Sequence, residues 1–360
     1  MRKNHLLTAL GIACLYGLAP TAGAGKAGGV AVWPFRKQVV PIPAKVASPS
    51  VSRSKTVCTW RQGREYLALP SSLPPDCCSE KPDPRRLKVH RGTAEMSFGQ
   101  DGSYFLYNGC KIFLSFPFFR ERQELYVSRD DFESKIQPLI HPQGITAKIP
   151  VPRTVVLDAG HGGKDSGAVA RGVSEKTWTW DVVRRLRQQL SSLGYRVILT
   201  REGDKFVPLA DRAAVTKRAQ PDLFLSLHFN AYPNAGAKGF EIFTFPIPGA
   251  PATHAGNRQR GNAPVSLGNH PFAAGNTIEA YAISSCIHDA FPNLENRGIK
   301  AARFQVLRNN PCPSVLVEGG FMSNAQDFEI FSKPENRERL AGAIVEGIKK
   351  YRLNVERIGH

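Results

Sequence analysis

The stretch "TVVLDAGHGGKDSGAV", residues 154–169, passes from an apolar, β-branched run (Thr154 to Leu157) into a segment crowded with glycine around a single histidine. The run reads as a buried strand, and the glycines mark a sharp bend just beyond its carboxyl end. Further runs of the same texture follow: "YRVILTR", "DLFLSLHF", "GFEIFTF" and "SVLVEGG", each ending in polar residues or glycine. Between the first two, Val182, Leu186, Leu190 and Leu193 fall at helical spacing and Gly194 stops the helix. Helical patterns recur near 209–219, 274–290 and 335–351. Near-continuous apolar strands alternating with amphipathic helices predict an α/β domain over 154–352, a mostly parallel sheet covered by helices on both faces.

Upstream the texture changes. "GSYFLYNGCKIFLSFPFF" holds two aromatic-rich runs split by Asn108 and Gly109, a strong hairpin signal. "ELYVSRDDFESKIQPLI" reads as a strand, a turn and a short helix with Ser128 as cap. Residues 53–140 are therefore expected to form a small β-rich domain for spacing or binding, weakly similar to the stalk domain at the start of some copper amine oxidases and in bacterial cell-surface proteins. Residues 25–52, rich in Gly, Ala, Pro, Ser and Val, read as a linker, as does 141–153; 246–272, full of Pro, Gly, Asn and Ala, reads as a long surface loop.

The chain begins with Arg2 and Lys3, an apolar stretch from Leu6 to Leu18 and small residues at 22–24. That is the layout of a cleaved secretory signal over 1–24, so export to the periplasm or cell envelope is expected. Cys14 offers a lipidation alternative, which Gly11 disfavours. Six further cysteines, Cys58, Cys77, Cys78, Cys110, Cys286 and Cys312, would permit disulfides in an exported protein, chiefly in the N-terminal half. With 48 Lys+Arg against 30 Asp+Glu, the net charge of +18 suits an anionic wall or membrane surface. No nucleic-acid-binding motif is present, so nucleic acid is not the expected partner.

Ligands of open α/β sheets bind beyond the carboxyl ends of the strands. Four residues stand there: His161 after the first strand, His228 closing "DLFLSLHF", Glu318 closing "SVLVEGG", and Glu175 opening the long helix behind Ser174 as its cap. Singly, each has a plainer reading. His161 would be a polar loop residue, His228 a hydrogen-bonded core histidine and Glu175 a first-turn carboxylate facing the helix dipole. Glu318 resists this, because a carboxylate in so apolar a run needs a compensating partner. Together, two imidazoles and a carboxylate suit a catalytic zinc with an open position, with a further carboxylate as base. The glycines in "GHGG" and "EGG" are expected to give His161 and Glu318 the backbone freedom to turn toward the metal.

These motifs, with "EK" at 175–176, "TR" at 200–201, "SLHFNA" at 226–231 and "PSVLVEGGFMSN" at 313–324, resemble the zinc-dependent N-acetylmuramoyl-L-alanine amidases, bacterial and phage cell-wall hydrolases. "RGIKAARFQVLR" at 297–308 also resembles the family's stretch before the last strand. The resemblance implies a single-layer α/β catalytic domain with one Zn2+ on His161, Glu175 and His228, and Glu318 as the catalytic carboxylate. It implies hydrolysis of the amide between N-acetylmuramic acid and L-alanine of the stem peptide in peptidoglycan. Asn230 is expected to contact substrate, whereas a structural ion pair suits Arg201 equally well. Some members carry a regulatory helix in the connection at 246–272, and the Pro/Gly content here argues against one. Two other functions use the same residues: another zinc peptide hydrolase of the wall, such as a carboxypeptidase, or a non-catalytic wall-binding protein. The second would be signalled by a missing ligand, and all four residues are present.

Overall fold

In the computed structural model, which describes residues 57–83, 85–253 and 270–358, the predicted strands after residue 154 line up side by side. They are β10 (Thr154–Ala159), β13 (Arg196–Leu199), β14 (Leu223–Asn230), β15 (Phe240–Thr244) and β17 (Ser314–Phe321). A further strand, β16 (Asn296–Ala301), lies where the sequence suggested only a stretch before the last strand. The order β13-β10-β14-β17-β15-β16 is parallel throughout except for the antiparallel pair β17·β15.

The apolar runs are continuous because both faces are covered. Val155, Leu157, Leu225, Leu227, Val315 and Val317 point into a large core beneath three helices, α1 (Glu175–Ser192), α3 (Ala273–Ala290) and α5 (Pro334–Ile358). Val156, Phe224, Phe243 and Leu316 face the other way, into a smaller cluster with Val306 and Leu307. Helix α2 (Leu209–Ala219) packs on the 3-10 turn carrying those two residues and on β10. Helix α4 (Ala325–Ser332), which the apolar spacing did not reveal, is capped by Asn324, whose side chain accepts from the amides of Gln326 and Asp327. Helix α5 runs seven residues beyond the predicted end at 351. As predicted, α1 stops at Ser192 with Gly194 at φ 83°.

The β-rich region supplies two sheets. One is a four-stranded antiparallel sheet, β1 (Cys58–Arg61), β2 (Arg64–Ala68), β9 (Glu124–Ser128) and β8 (Phe119–Glu121). The other is a meander of β3 (Cys78–Asp83), β4 (Arg86–Arg91), β5 (Ala94–Phe98), β6 (Tyr104–Tyr107) and β7 (Cys110–Phe113). Asn108 and Gly109 turn β6 into β7 with φ 46° and 80°, the left-handed pair a two-residue hairpin demands. Ser128 caps the following helical turn by accepting from the Asp131 amide. The meander extends the α/β sheet: β7 pairs in parallel with β16, Ile112 opposite Ile299, giving eleven strands in one sheet. The whole sheet is thus mixed, although the part after residue 154 is mostly parallel. Gly298 allows the contact, because a Cβ there would meet the Lys111 carbonyl and side chain.

The six cysteines that would permit disulfides are free among the described residues, and Cys110 is buried against Ser284. No helix among the described residues is long and apolar enough to cross a membrane. The expected signal (1–24, with Cys14), the linker 25–52 and most of the loop expected at 246–272 fall outside the described residues.

Candidate metal centre

Strand β10 delivers His161 into a turn of unusual backbone. His161 has φ 62°, Gly162 126° and Gly163 58°. The left-handed excursion is costly for a histidine, and surrounding bonds hold it. Arg212, 3% exposed, donates to the carbonyls of Ala159 at 2.7 Å and His161 at 2.6 Å and pairs with Asp158 at 2.7 Å. Arg201 donates to the carbonyls of Ala159 and Gly160. Arg201, for which a structural ion pair was expected as readily as a substrate contact, instead braces the turn through these carbonyls.

The glycines act in two different ways. Gly162 and Gly163 supply φ, as expected. Gly160 supplies room, since a Cβ there would collide with the His228 ring. Gly167 does both: at φ 64°, its Cβ would stand 2.5 Å from the His161 ring and 2.6 Å from Glu175 Oε2. The "EGG" expectation is corrected. Gly319 and Gly320 continue β17 without positive φ, and they make space for Phe229, Leu340 and Phe331 instead of turning Glu318.

Glu175 opens α1, and Ser174 occupies the cap position without a side-chain bond, against expectation. The first amides of the helix are satisfied from the segment after His161: Glu175 N donates to the Ala168 carbonyl at 2.8 Å and Lys176 N to the Ser166 carbonyl at 3.1 Å. This brings Glu175 against His161, its Oε1 lying 3.1 Å from His161 Nε2 and 3.0 Å from His228 Nδ1. Oε1 also accepts from the Phe229 amide and Oε2 from the Ala168 amide. One ligand atom from each of His161, Glu175 and His228 lies within 4.8 Å of the others. A tetrahedral zinc with arms of about 2.1 Å places its ligand atoms about 3.4 Å apart, and the 3.0 and 3.1 Å separations from Glu175 Oε1 are near that value. Asp165 Oδ2, 2.9 Å from His161 Nδ1, fixes the ring so that Nε2 faces inward, the usual outer partner of a metal-binding imidazole. The sequence displayed Asp165 four residues after His161 but gave no sign of that role.

Burial lowers the His161 pKa, but Glu175 and Asp165 outweigh it and the net shift is upward. Burial likewise pushes Glu175 up, and the two histidines more than reverse it, leaving its carboxyl far below the usual range. Two imidazoles converging on one ionised carboxylate form a nest for a cation.

Glu318 lies opposite His228 in the β14·β17 register and opposite Glu241 in the β17·β15 register, so all three share one face. Its Oε2 is buried with no hydrogen-bond partner. Burial, then Glu175 and Glu241, push its pKa well above the ordinary carboxylate value. Glu241 was not foreseen. It is buried in an ion pair with Lys300, bonds Arg297 Nε at 2.9 Å and accepts from Asn230 Nδ2 at 2.8 Å. Asn230, expected to contact substrate, has both amide ends engaged inside the protein, its Oδ1 accepting from the Ala231 amide.

A largely buried N₂O set, with its imidazoles at the carboxyl ends of parallel strands and its carboxylate at a helix start, beside an orphaned carboxylate, has the make-up of a metallohydrolase centre. The Amidase_3 family, N-acetylmuramoyl-L-alanine amidase, matches residues 155–350. The endolysin of Bacillus phage SPP1 is 34% identical over 212 residues, covering 57% of this chain and 68% of its own. AmiC of Neisseria meningitidis is 28% identical, and the match spans only 52% of its length. AmiA of Escherichia coli K12 is 30% identical over 219 residues, with 55% and 76% covered. Among solved structures, AmiC2 of Nostoc punctiforme matches 55% of this chain and 96% of its own at 30% identity and TM-score 0.46. The chain belongs to the N-acetylmuramoyl-L-alanine amidase family. It is a peptidoglycan amidase by that membership, acting on the bond between N-acetylmuramic acid and L-alanine.

Proposed function

We propose that the amidase uses zinc held by His161 Nε2, Glu175 Oε1 and His228 Nδ1, with Glu318 as general base. The observation that carries this reading is that one ligand atom from each of His161, Glu175 and His228 lies within 4.8 Å of the others. When bound, zinc supplies a Lewis acid for the scissile carbonyl and lowers the pKa of water toward neutrality.

Glu318 takes the proton of the attacking water and returns it to the departing L-alanine nitrogen. Burial beside Glu175 and Glu241 raises its proton affinity, which suits a group that must hold a proton between those two transfers. Glu318 would be held ionised before attack by the charge of a dication bound at His161, Glu175 and His228. Glu241, anchored by Lys300, Arg297 and Asn230, backs Glu318 across the strand pair; Asn230 thereby serves as a brace for Glu241.

The export expected from residues 1–24 would bring the enzyme to its polymer in the cell envelope. The net charge of +18 supports attraction to an anionic wall or membrane surface. Sedimentation with purified sacculi should then weaken as salt rises. The reaction is tested by a zymogram with murein in the gel, with and without chelator, followed by analysis of the products. Stem peptides bearing a free L-alanine N-terminus support the amidase. Trimming from the carboxyl end would establish a carboxypeptidase instead, and binding without cleavage a wall-binding protein.

A further inference from the structure

Eight large apolar side chains are exposed among the described residues, and four of them stand on segments joined to the residues of the metal centre: Phe206 (43%), Leu209 (45%), Val169 (52%) and Tyr232 (59%). Each is fastened to a segment that carries a ligand or the base. The loop of Phe206 packs on the His161 turn so tightly that a Cβ on Gly163 would stand 2.5 Å from Phe206 N. Asp204 accepts from Gly163 N and from Lys176 Nζ, both at 2.7 Å, stapling that loop to the segments of His161 and Glu175. Leu209 precedes by three residues the arginine that grips the His161 carbonyl. Val169 follows Ala168, whose amide binds Glu175. Tyr232 lies four residues past His228, and its amide donates to Ser323 Oγ, beyond Glu318 on the neighbouring strand.

The strand order β13-β10-β14-β17 sets these rings apart. Phe206 follows β13 on the His161 side, and Tyr232 follows β14 on the Glu318 side. Lys164 Nζ lies 4.6 Å from the centre of the Phe206 ring, so the first side carries an aromatic face and a cation together. Exposed apolar groups grouped around a polar centre mark a contact surface. Phe206 packs on the turn that carries His161, and Tyr232 is tied to the turn that follows the strand of Glu318, so a polymer bound at the reaction centre passes both rings.

We propose that Phe206 with Lys164, on one side of the metal centre, and Tyr232, on the other, are flanking subsites that hold the saccharide–peptide chain on both sides of the scissile amide. The rings take the apolar faces of sugar or alanyl units, and Lys164 takes a stem-peptide carboxylate. The assignment rests on the amidase reading.

The test compares the wild-type enzyme with Phe206→Ala, Tyr232→Ala and Lys164→Met on soluble, uncrosslinked glycan strands bearing stem peptides. New L-alanine N-termini are counted, and metal content and melting temperature are recorded for each protein. Loss of either ring should raise KM up to about tenfold, with kcat and metal content retained. Phe206→Tyr, which keeps an aromatic face, should restore the wild-type KM. Unchanged KM in both alanine variants, or a fall in kcat alone, overturns the subsites while leaving the amidase intact. A wild-type enzyme that releases no new L-alanine termini overturns the amidase reading and the subsites with it.

Discussion

Arg212 reaches from helix α2 to the carbonyl of His161, 2.6 Å away, and with its other terminal nitrogen grips Asp158. A proposed metal ligand in a left-handed backbone is thus tied to a buried ion pair one layer below it.

That ion pair should set the acid limit of the fold. Burial pushes the Asp158 carboxyl up, but Arg212, Thr200 and Ser226 outweigh it, so its folded pKa lies below the ordinary value. A depressed carboxyl contributes stability above its unfolded pKa of about 3.9 and loses it as pH falls through the folded value. Arg212→Met should cost about 3–5 kcal/mol at neutral pH by stranding a buried charge. Acidification should relieve part of that cost, because the stranded carboxyl takes up a proton, so melting temperatures of the two proteins followed by circular dichroism should converge as pH falls.

Replacing Glu318 by Gln should leave metal content unchanged and lower kcat about 100- to 10,000-fold, the range for loss of a positioned general base. Near-normal turnover with full metal occupancy would remove Glu318 from the mechanism.

Asp165→Ala should weaken metal affinity about 10- to 100-fold while leaving the ligands in place. Competition against a calibrated chelator reads the affinity, and activity should recover at saturating metal. Equal affinity in the two proteins would mean that Asp165 does not orient His161.

Gly160→Ala tests whether this glycine is there for space. The added methyl meets the His228 ring at a residue whose backbone is not left-handed, so the main-chain conformation itself is tolerated. Metal binding should fall sharply with only a modest change in melting temperature. Normal metal affinity would show that the ring can yield.

Removing the metal should lower the melting temperature, and titrating zinc back should raise it with ligand concentration, as binding to the folded state alone requires. A melting temperature indifferent to zinc would argue against the His161, Glu175 and His228 site.

The site residues at strand ends were legible because β10, β14 and β17 announce themselves as apolar runs, and His161, His228 and Glu318 interrupt or close them. The supporting residues were not. Glu241 and Lys300 meet only through the β15·β16 register, which no local pattern encodes. The "NRGIKA" of β16 is too polar to read as an interior strand, yet its Arg297 and Lys300 both pair with the buried Glu241. Gly160 and Gly319 look alike as glycines beside active residues, and only the neighbours a Cβ would strike reveal why each is small. The β7·β16 pairing joins segments nearly two hundred residues apart, beyond the reach of periodicity.

That pairing bears on how the enzyme can be divided. Cutting the chain to the family-matched residues 155–350 would strip β16 of its neighbour and bare a row of amide and carbonyl groups. It would also remove Lys111 and Phe113, which flank the cation anchoring Glu241. The trimmed piece should therefore self-associate through its newly open rim, and the loss would be felt two strands away, at the base. For this chain, the smallest active unit should be larger than the family's own outline.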